Sequence, residues 1–133
     1  MNRQKITDVT IFLLRVVAAY IFIQNGGWKL FGWFGIMPEG TDIGTLMLIA
    51  GIVEVVGGFM ILIGLWTRIA AFISSGQMAV AYFIAHANQG YWHVPLMNEG
   101  QPSVLLCFVF LFFAAYGAGI WSIDALLKKR RHS

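Results

Sequence analysis

A chain of 133 residues has room for one domain, and with 59% hydrophobic, 15% aromatic and only 11% charged residues it could not hide its apolar surface from water as a soluble protein. A bilayer removes that difficulty. The net charge of +3 does not point to nucleic acid: four of the nine basic residues are Lys128-Lys129-Arg130-Arg131, a short tail behind an apolar helix, which marks a cytoplasmic membrane edge and suits anionic lipid.

Crossing the hydrocarbon core takes roughly 20 mostly apolar helical residues, and four stretches qualify. The first covers residues 8–30 and is the most polar, with Arg15, Gln24, Asn25 and Lys29. The second, 45–66, holds Glu54; the third, 67–87, holds Ser74, Ser75, Gln77 and, near its end, His86. The fourth, 103–123, carries no charge, and the basic tail follows over 125–133. These runs are too long for strands, and none alternates with period 2. The expected fold is all-α: one transmembrane domain over residues 1–133, an antiparallel up-and-down four-helix bundle.

The breaks agree. Pro38, flanked by Gly32, Gly35 and Gly40, interrupts the first connection. Gly64-Leu65-Trp66-Thr67-Arg68 is so short a turn that the second and third helices must be antiparallel neighbours. A longer third loop begins at Asn88 and ends near Pro102, with Ser103 the expected N-cap of the fourth helix. The first segment is too long and too polar for a signal peptide, and no A-x-A-like site follows it.

With an even number of spans both termini share a side with the Trp66–Arg68 turn. That side collects Arg3, Lys5, Arg68 and the four tail residues, whereas the other carries Glu39, Asp42 and Glu99, with Lys29 at its edge. The positive-inside rule therefore predicts cytoplasmic termini. Trp28, Trp33, Tyr91 and Trp92 would form an outer aromatic belt, and Trp66 and Trp121 an inner one.

A charge at mid-bilayer costs at least ~2.5–3.5 kcal/mol, so the embedded polar groups require a reason. Glu54 and Gln77 fall near mid-depth on their helices; Arg15 starts lower, within reach of Glu54. Helical phase puts Arg15, Ala18, Ala19, Phe22, Gly26 and Lys29 on one face. Ala50, Gly51, Gly57 and Gly58 line a face of the second helix around Glu54, where small residues admit a close neighbour. Two readings stand: a structural Arg15–Glu54 pair that fixes register, or a polar pocket or proton path built from the same groups.

His86, at the outer end of the third helix, reads as a hydrogen-bonded interface residue that does not share a face with Gln77. No C-x-x-C-H or H-x-x-x-H spacing supports haem or metal ligation by His86 and His93. The single cysteine, Cys107, excludes an internal disulfide and reads as a packing residue. There is no P-loop, GxSxG, HExxH or Rossmann fingerprint, and Gly117-Ala118-Gly119 reads as close packing within the fourth helix.

Five stretches resemble the DoxX family. Leu14-Arg15 through Asn25-Gly26-Gly27-Trp28-Lys29-Leu30-Phe31-Gly32 is similar to its LLR…HGxxKLFG first helix, with Gln24-Asn25 where the family often has His. Gly51 to Gly58 resembles GxxExxGG, Gly64 to Ala71 resembles GLxTRxAA, and Met78 to Ala81 with His86 resembles the third-helix MxxA and terminal His. Gly117 to Asp124 resembles GxGxxSxD. The resemblance implies a four-helix bundle in a bacterial-type cytoplasmic membrane. It also implies redox work near the quinone pool, as a subunit of a thiosulfate- or quinol-oxidising system or as a partner of thiol and superoxide defence proteins. With no covalently bound cofactor, metal or binding motif of its own, the chain would use a diffusible quinone or a partner subunit. Glu54, Gln77 and Arg15 would then line the pocket, with Lys29 and His86 nearer its outer mouth. The other class is a non-catalytic membrane module, either a scaffold subunit or a small-molecule permeation protein; a homo-oligomer is open under both.

Overall fold

The computed structural model describes residues 1–35 and 44–131, so Pro38, Glu39, Gly40 and Asp42 of the first connection lie outside the described residues. No strand occurs among the described residues. Helix α1 (Arg3–Phe31) opens on Asn2, whose side chain accepts from Lys5 N, and closes on Gly32 in the left-handed conformation. A 3-10 turn, Trp33–Gly35, follows it. Helix α2 (Thr45–Ile63) turns at Gly64 into α3 (Thr67–Ala81), which runs on through a π-helical turn at Tyr82–His86. A short α4 (Pro95–Asn98) precedes α5 (Gln101–Tyr116), and α6 (Ile123–Arg131) ends the described chain.

Residues Arg3–Phe31, Thr45–Ile63 and Thr67–His86 are long and apolar enough to cross a membrane; Gln101–Tyr116 is a shorter apolar helix. At 16 residues it spans about 24 Å against the ~30 Å of a typical hydrocarbon core. The expected fourth span over 103–123 is thus corrected at both ends. Its start lies at Gln101, with Pro102 in the first turn, where the missing N–H costs nothing; Ser103 is inside the helix rather than its N-cap. It stops at Tyr116 because Gly117 (φ 94°) and Gly119 (φ 77°) take positive φ angles that a helix cannot continue through. The Gly-Ala-Gly stretch is therefore a helix break rather than part of the helix, although Gly117 and Ala118 are buried and Ala118 packs beside Gly64. The basic tail is helical too: Ser122 Oγ accepts from Ala125 N, capping α6.

Contacts fix which helices pair and in which direction, which hydropathy does not. Along α1, Ala19 and Ile23 meet Gly58, Gly26 meets Glu54 and Val55, and Leu30 meets Gly51, so α1 and α2 run antiparallel. A Cβ on Gly26 would come within 2.8 Å of the Gly51 carbonyl, and one on Gly58 within 2.5 Å of Ile23, so the absence of side chains sets this spacing. Gly57 instead faces Ser74 of α3. Helix α5 pairs antiparallel with α3: Ser75 Oγ donates to Cys107 O (2.7 Å), and Tyr82 packs against Gly100. Phe22, Ile61, Ala71, Met78, Phe110 and Phe113 fill the centre, and the Phe22 and Phe110 rings lie 4.7 Å apart. Most remaining large apolar side chains point outward, as lipid requires.

Cys107 is half-buried beside Ser75 and packs on this core. Cys107→Ala is expected to fold normally and lose about 1 kcal/mol for one small group, measured as a detergent-solubilised unfolding midpoint. A fold-intact variant that lost a cellular phenotype would reveal thiol chemistry.

Candidate functional site

The five candidate residues separate into three places. Lys29, Glu54 and Gln77 come together. Lys29, in the last turn of α1, reaches sideways across the Gly26–Gly51 contact, and its Nζ donates to Glu54 Oε1 at 2.5 Å. Gln77 Nε2 donates to the same oxygen at 3.3 Å from α3. Glu54 itself is 0% exposed and Lys29 18%, so the carboxylate is enclosed while the lysine side chain is partly exposed. Three helices thus converge on one carboxylate oxygen. Among the described residues the other oxygen, Oε2, has no partner, and neither has Gln77 Oε1. One turn further inward, the buried Ser74 Oγ beside Gly57 is unpartnered as well. Unpaired buried polar atoms are uncommon, because each forfeits about 1–3 kcal/mol of solvation. Among the described residues three such atoms lie at or near this acid, and three others, Arg15 Nε, Trp28 Nε1 and Thr67 Oγ1, lie elsewhere.

Arg15 does not join this group, and the expected Arg15–Glu54 pair is not made. Its guanidinium, fully buried, turns to the opposite end of the bundle and donates to the carbonyls of Ala118, Ile120 (3.1 Å) and Trp121 (2.9 Å). The cause is the helix break: α5 ends at Tyr116, so the carbonyls of Ala118, Ile120 and Trp121 lie in a non-helical stretch outside its amide-to-carbonyl ladder, and a five-donor fork satisfies several at once. The ring of Phe12 lies 5.3 Å from its charge centre. Asp124 completes the same end, accepting from Trp66 N (2.7 Å) and Thr67 N (2.9 Å), so α6 caps the start of α3. Neither role was visible in the spacing, although Leu14-Arg15, Gly64 to Arg68 and Gly117 to Asp124 were already singled out as motifs.

His86 also stands apart, in a network where the third loop meets the end of α3. Its Nδ1 donates to Asn98 O at 3.0 Å, since a carbonyl can only accept, and its ring stacks on Tyr82. Asn98, 3% exposed, donates to Tyr82 Oη and Tyr91 O and accepts from Gly100 N. Tyr82 Oη in turn donates to Trp92 O. Asn98 therefore fastens the third loop over the π-helical turn. Sequence reasoning missed it, because an Asn in a loop looks solvated until the loop is folded back.

The comparisons agree with this architecture. The DoxX family pattern matches residues 10–87, which span α1, α2 and α3 and contain Arg15, Lys29, Glu54, Gln77 and His86. An uncharacterised protein of Haemophilus influenzae is 38% identical over 126 residues, covering 92% of this chain and 94% of its own length. The inner membrane protein YqjF of Escherichia coli is 30% identical over 130 residues, covering 96% and 98%. An uncharacterised membrane protein of Mycobacterium tuberculosis is 29% identical, covering 90% and 76%. No solved structure matches the chain. Since a family pattern covers more than half of the sequence and a relative 30% identical matches it over nearly the whole of both chains, this multi-pass membrane protein belongs to the DoxX family.

Proposed function

We propose that the protein is a redox-associated membrane subunit that binds a quinone headgroup at the Lys29–Glu54–Gln77 cluster. The observation that carries the reading is a fully buried carboxylate with one oxygen paired and the other free, next to a free amide oxygen. A quinone carbonyl needs donors, which the Lys29 ammonium and the Gln77 amide provide. The hydroxyls of the reduced form need acceptors, for which Glu54 Oε2 and Gln77 Oε1 are suited. A buried acid that exchanges a proton serves the same chemistry. The isoprenoid tail would lie in the lipid. The electrons would come from a partner protein. Arg15 and His86, engaged elsewhere, are left out of this pocket.

Extraction with native lipid followed by mass spectrometry tests the proposal. The expected result is a quinone retained near one per chain. A stoichiometric partner subunit or a homo-oligomer with no retained quinone would favour the scaffold reading instead. That reading has its own support, because the Lys29–Glu54 pair is internally neutral and joins two helices.

The same proposal places both termini in the cytoplasm, with the Lys29 end of the bundle outward. A periplasm-active reporter fused after Ser133 should be silent, and one inserted near Glu99 should be active. The reverse pattern would overturn the orientation.

A further inference from the structure

A cavity of about 630 Å³ opens at the end of the bundle away from the Lys29–Glu54 pair, between the start of α3, the broken end of α5 and α6. Arg68 and Lys128 line it, together with Trp66, Tyr116, Gly117 and Asp124. Its electrostatics are one-sided. Asp124 is the one acid in the lining, and both its oxygens are taken by Trp66 N and Thr67 N. The carbonyls of Ala118, Ile120 and Trp121 beyond the end of α5, which would repel an anion, are turned to Arg15. Arg68 and Lys128, by contrast, are exposed and form no ion pair among the described residues. Gly117 keeps the wall thin there: a Cβ would sit 3.4 Å from Arg68 Nε. Trp66 (63% exposed) and Trp121 (61%) flank this end, and exposed indoles mark the headgroup level of a bilayer. Below them Leu126 and Leu127 leave α6 an apolar side beside its basic end, the pattern of a helix lying in the interface.

We infer that this cavity binds the phosphate of an anionic phospholipid, clamped between Arg68 and Lys128 with its acyl chains along the Trp66 and Trp121 side. Arg offers a fork that matches phosphate oxygens, and Lys adds a point charge. This is a defined site, distinct from diffuse attraction between the tail and a charged surface.

The experiment uses the full-length protein in zwitterionic detergent, titrated with phosphatidylglycerol, phosphatidylcholine or inorganic phosphate, and read by native mass spectrometry. The expected result is one phosphatidylglycerol retained in preference to phosphatidylcholine, with inorganic phosphate failing to displace it at millimolar concentration. Arg68→Gln and Lys128→Gln should each weaken retention about fivefold, the effect of one cation near the surface. The paired control Lys129→Gln/Arg131→Gln removes more charge outside the cavity and should change it by less than either. Arg68 and Lys128 hold no partner whose loss would unfold the chain, and an unchanged unfolding midpoint without lipid checks this. Equal retention of the two lipids, or an equal or larger loss in the control, overturns the site. Displacement by millimolar phosphate overturns the lipid and leaves a site for free phosphate.

Discussion

Arg15→Met is expected to destabilise the bundle by about 3–5 kcal/mol, as judged from hydrogen bonds to charged groups and from the cost of stranding buried acceptors. Met keeps most of the side-chain volume, so a cavity cannot account for the loss. What disappears is a fully buried guanidinium that ties α1 to the carbonyls of Ala118, Ile120 and Trp121. Those carbonyls follow a helix stopped by Gly117, and the Ala118 oxygen has little access to water. Arg15→Lys should recover only part of the stability, because a single ammonium cannot reach three divergent acceptors. Unfolding of detergent-solubilised protein by denaturant reads both variants. A midpoint for Arg15→Met equal to wild type would show that water replaces the guanidinium at no cost, and the knot between α1, α5 and α6 would then be incidental. Because Asp124 separately fastens α6 to the start of α3 through Trp66 N and Thr67 N, the unfolding should stay cooperative in the variants rather than fray from the C-terminus.

How much of this could be read from the residues differs sharply by element. Length and apolar content were enough for α1, α2 and α3, since a bilayer imposes a minimum helix length that the chain must display openly. The close face of α2 was also legible, because only glycines at Gly51 and Gly58 let a second backbone in. The fourth span was misread for a definite reason. Hydropathy continues through Ile120 and Trp121, yet the backbone does not, and two positive φ angles at glycines leave no trace in an apolar average. Arg15 was misassigned by the same omission. With the fourth helix drawn unbroken there were no free carbonyls for a buried cation, so a carboxylate looked like the only partner. Once the break is in place, the neutral but polar carbonyls of the stretch after α5 take Arg15, and Lys29 is left for Glu54. Asn98 escaped notice because its partners, Tyr82, Tyr91 and Gly100, are brought together only by the return of the third loop. The Lys29–Gln77 side of the cluster was nearer to view, since both residues project toward Glu54 from adjoining helices; their bonds to a shared oxygen were not.

The reassignment of Glu54 to Lys29 gives the second large effect, and it is asymmetric. Glu54→Gln keeps the side-chain size and removes the charge, leaving Lys29 without its carboxylate. Lys29 is 18% exposed at the rim of α1, so its flexible stem can carry the ammonium toward the headgroups; the expected cost is about 1–2 kcal/mol, below the ~3–5 kcal/mol of a fully enclosed pair. Lys29→Met is the worse change. It leaves a carboxylate that is 0% exposed with Gln77 as its remaining donor, and the loss should approach ~3–5 kcal/mol. The double variant Lys29→Met/Glu54→Leu removes both charges and should recover much of the stability of the single Lys29 change. Stability alone therefore cannot distinguish a clamp from a binding site, and quinone retention supplies the second axis. If the free Glu54 oxygen serves a bound headgroup, Glu54→Gln inserts and folds yet retains at least tenfold less quinone after extraction, and the double variant stays empty although it is stable. The reason is that neither Gln nor Leu offers a carboxylate that can take the proton of a hydroxyl. A double variant that folds, and that holds quinone and supports growth as wild type does, would sink the ligand role of Glu54 and leave the pair as a helix clamp.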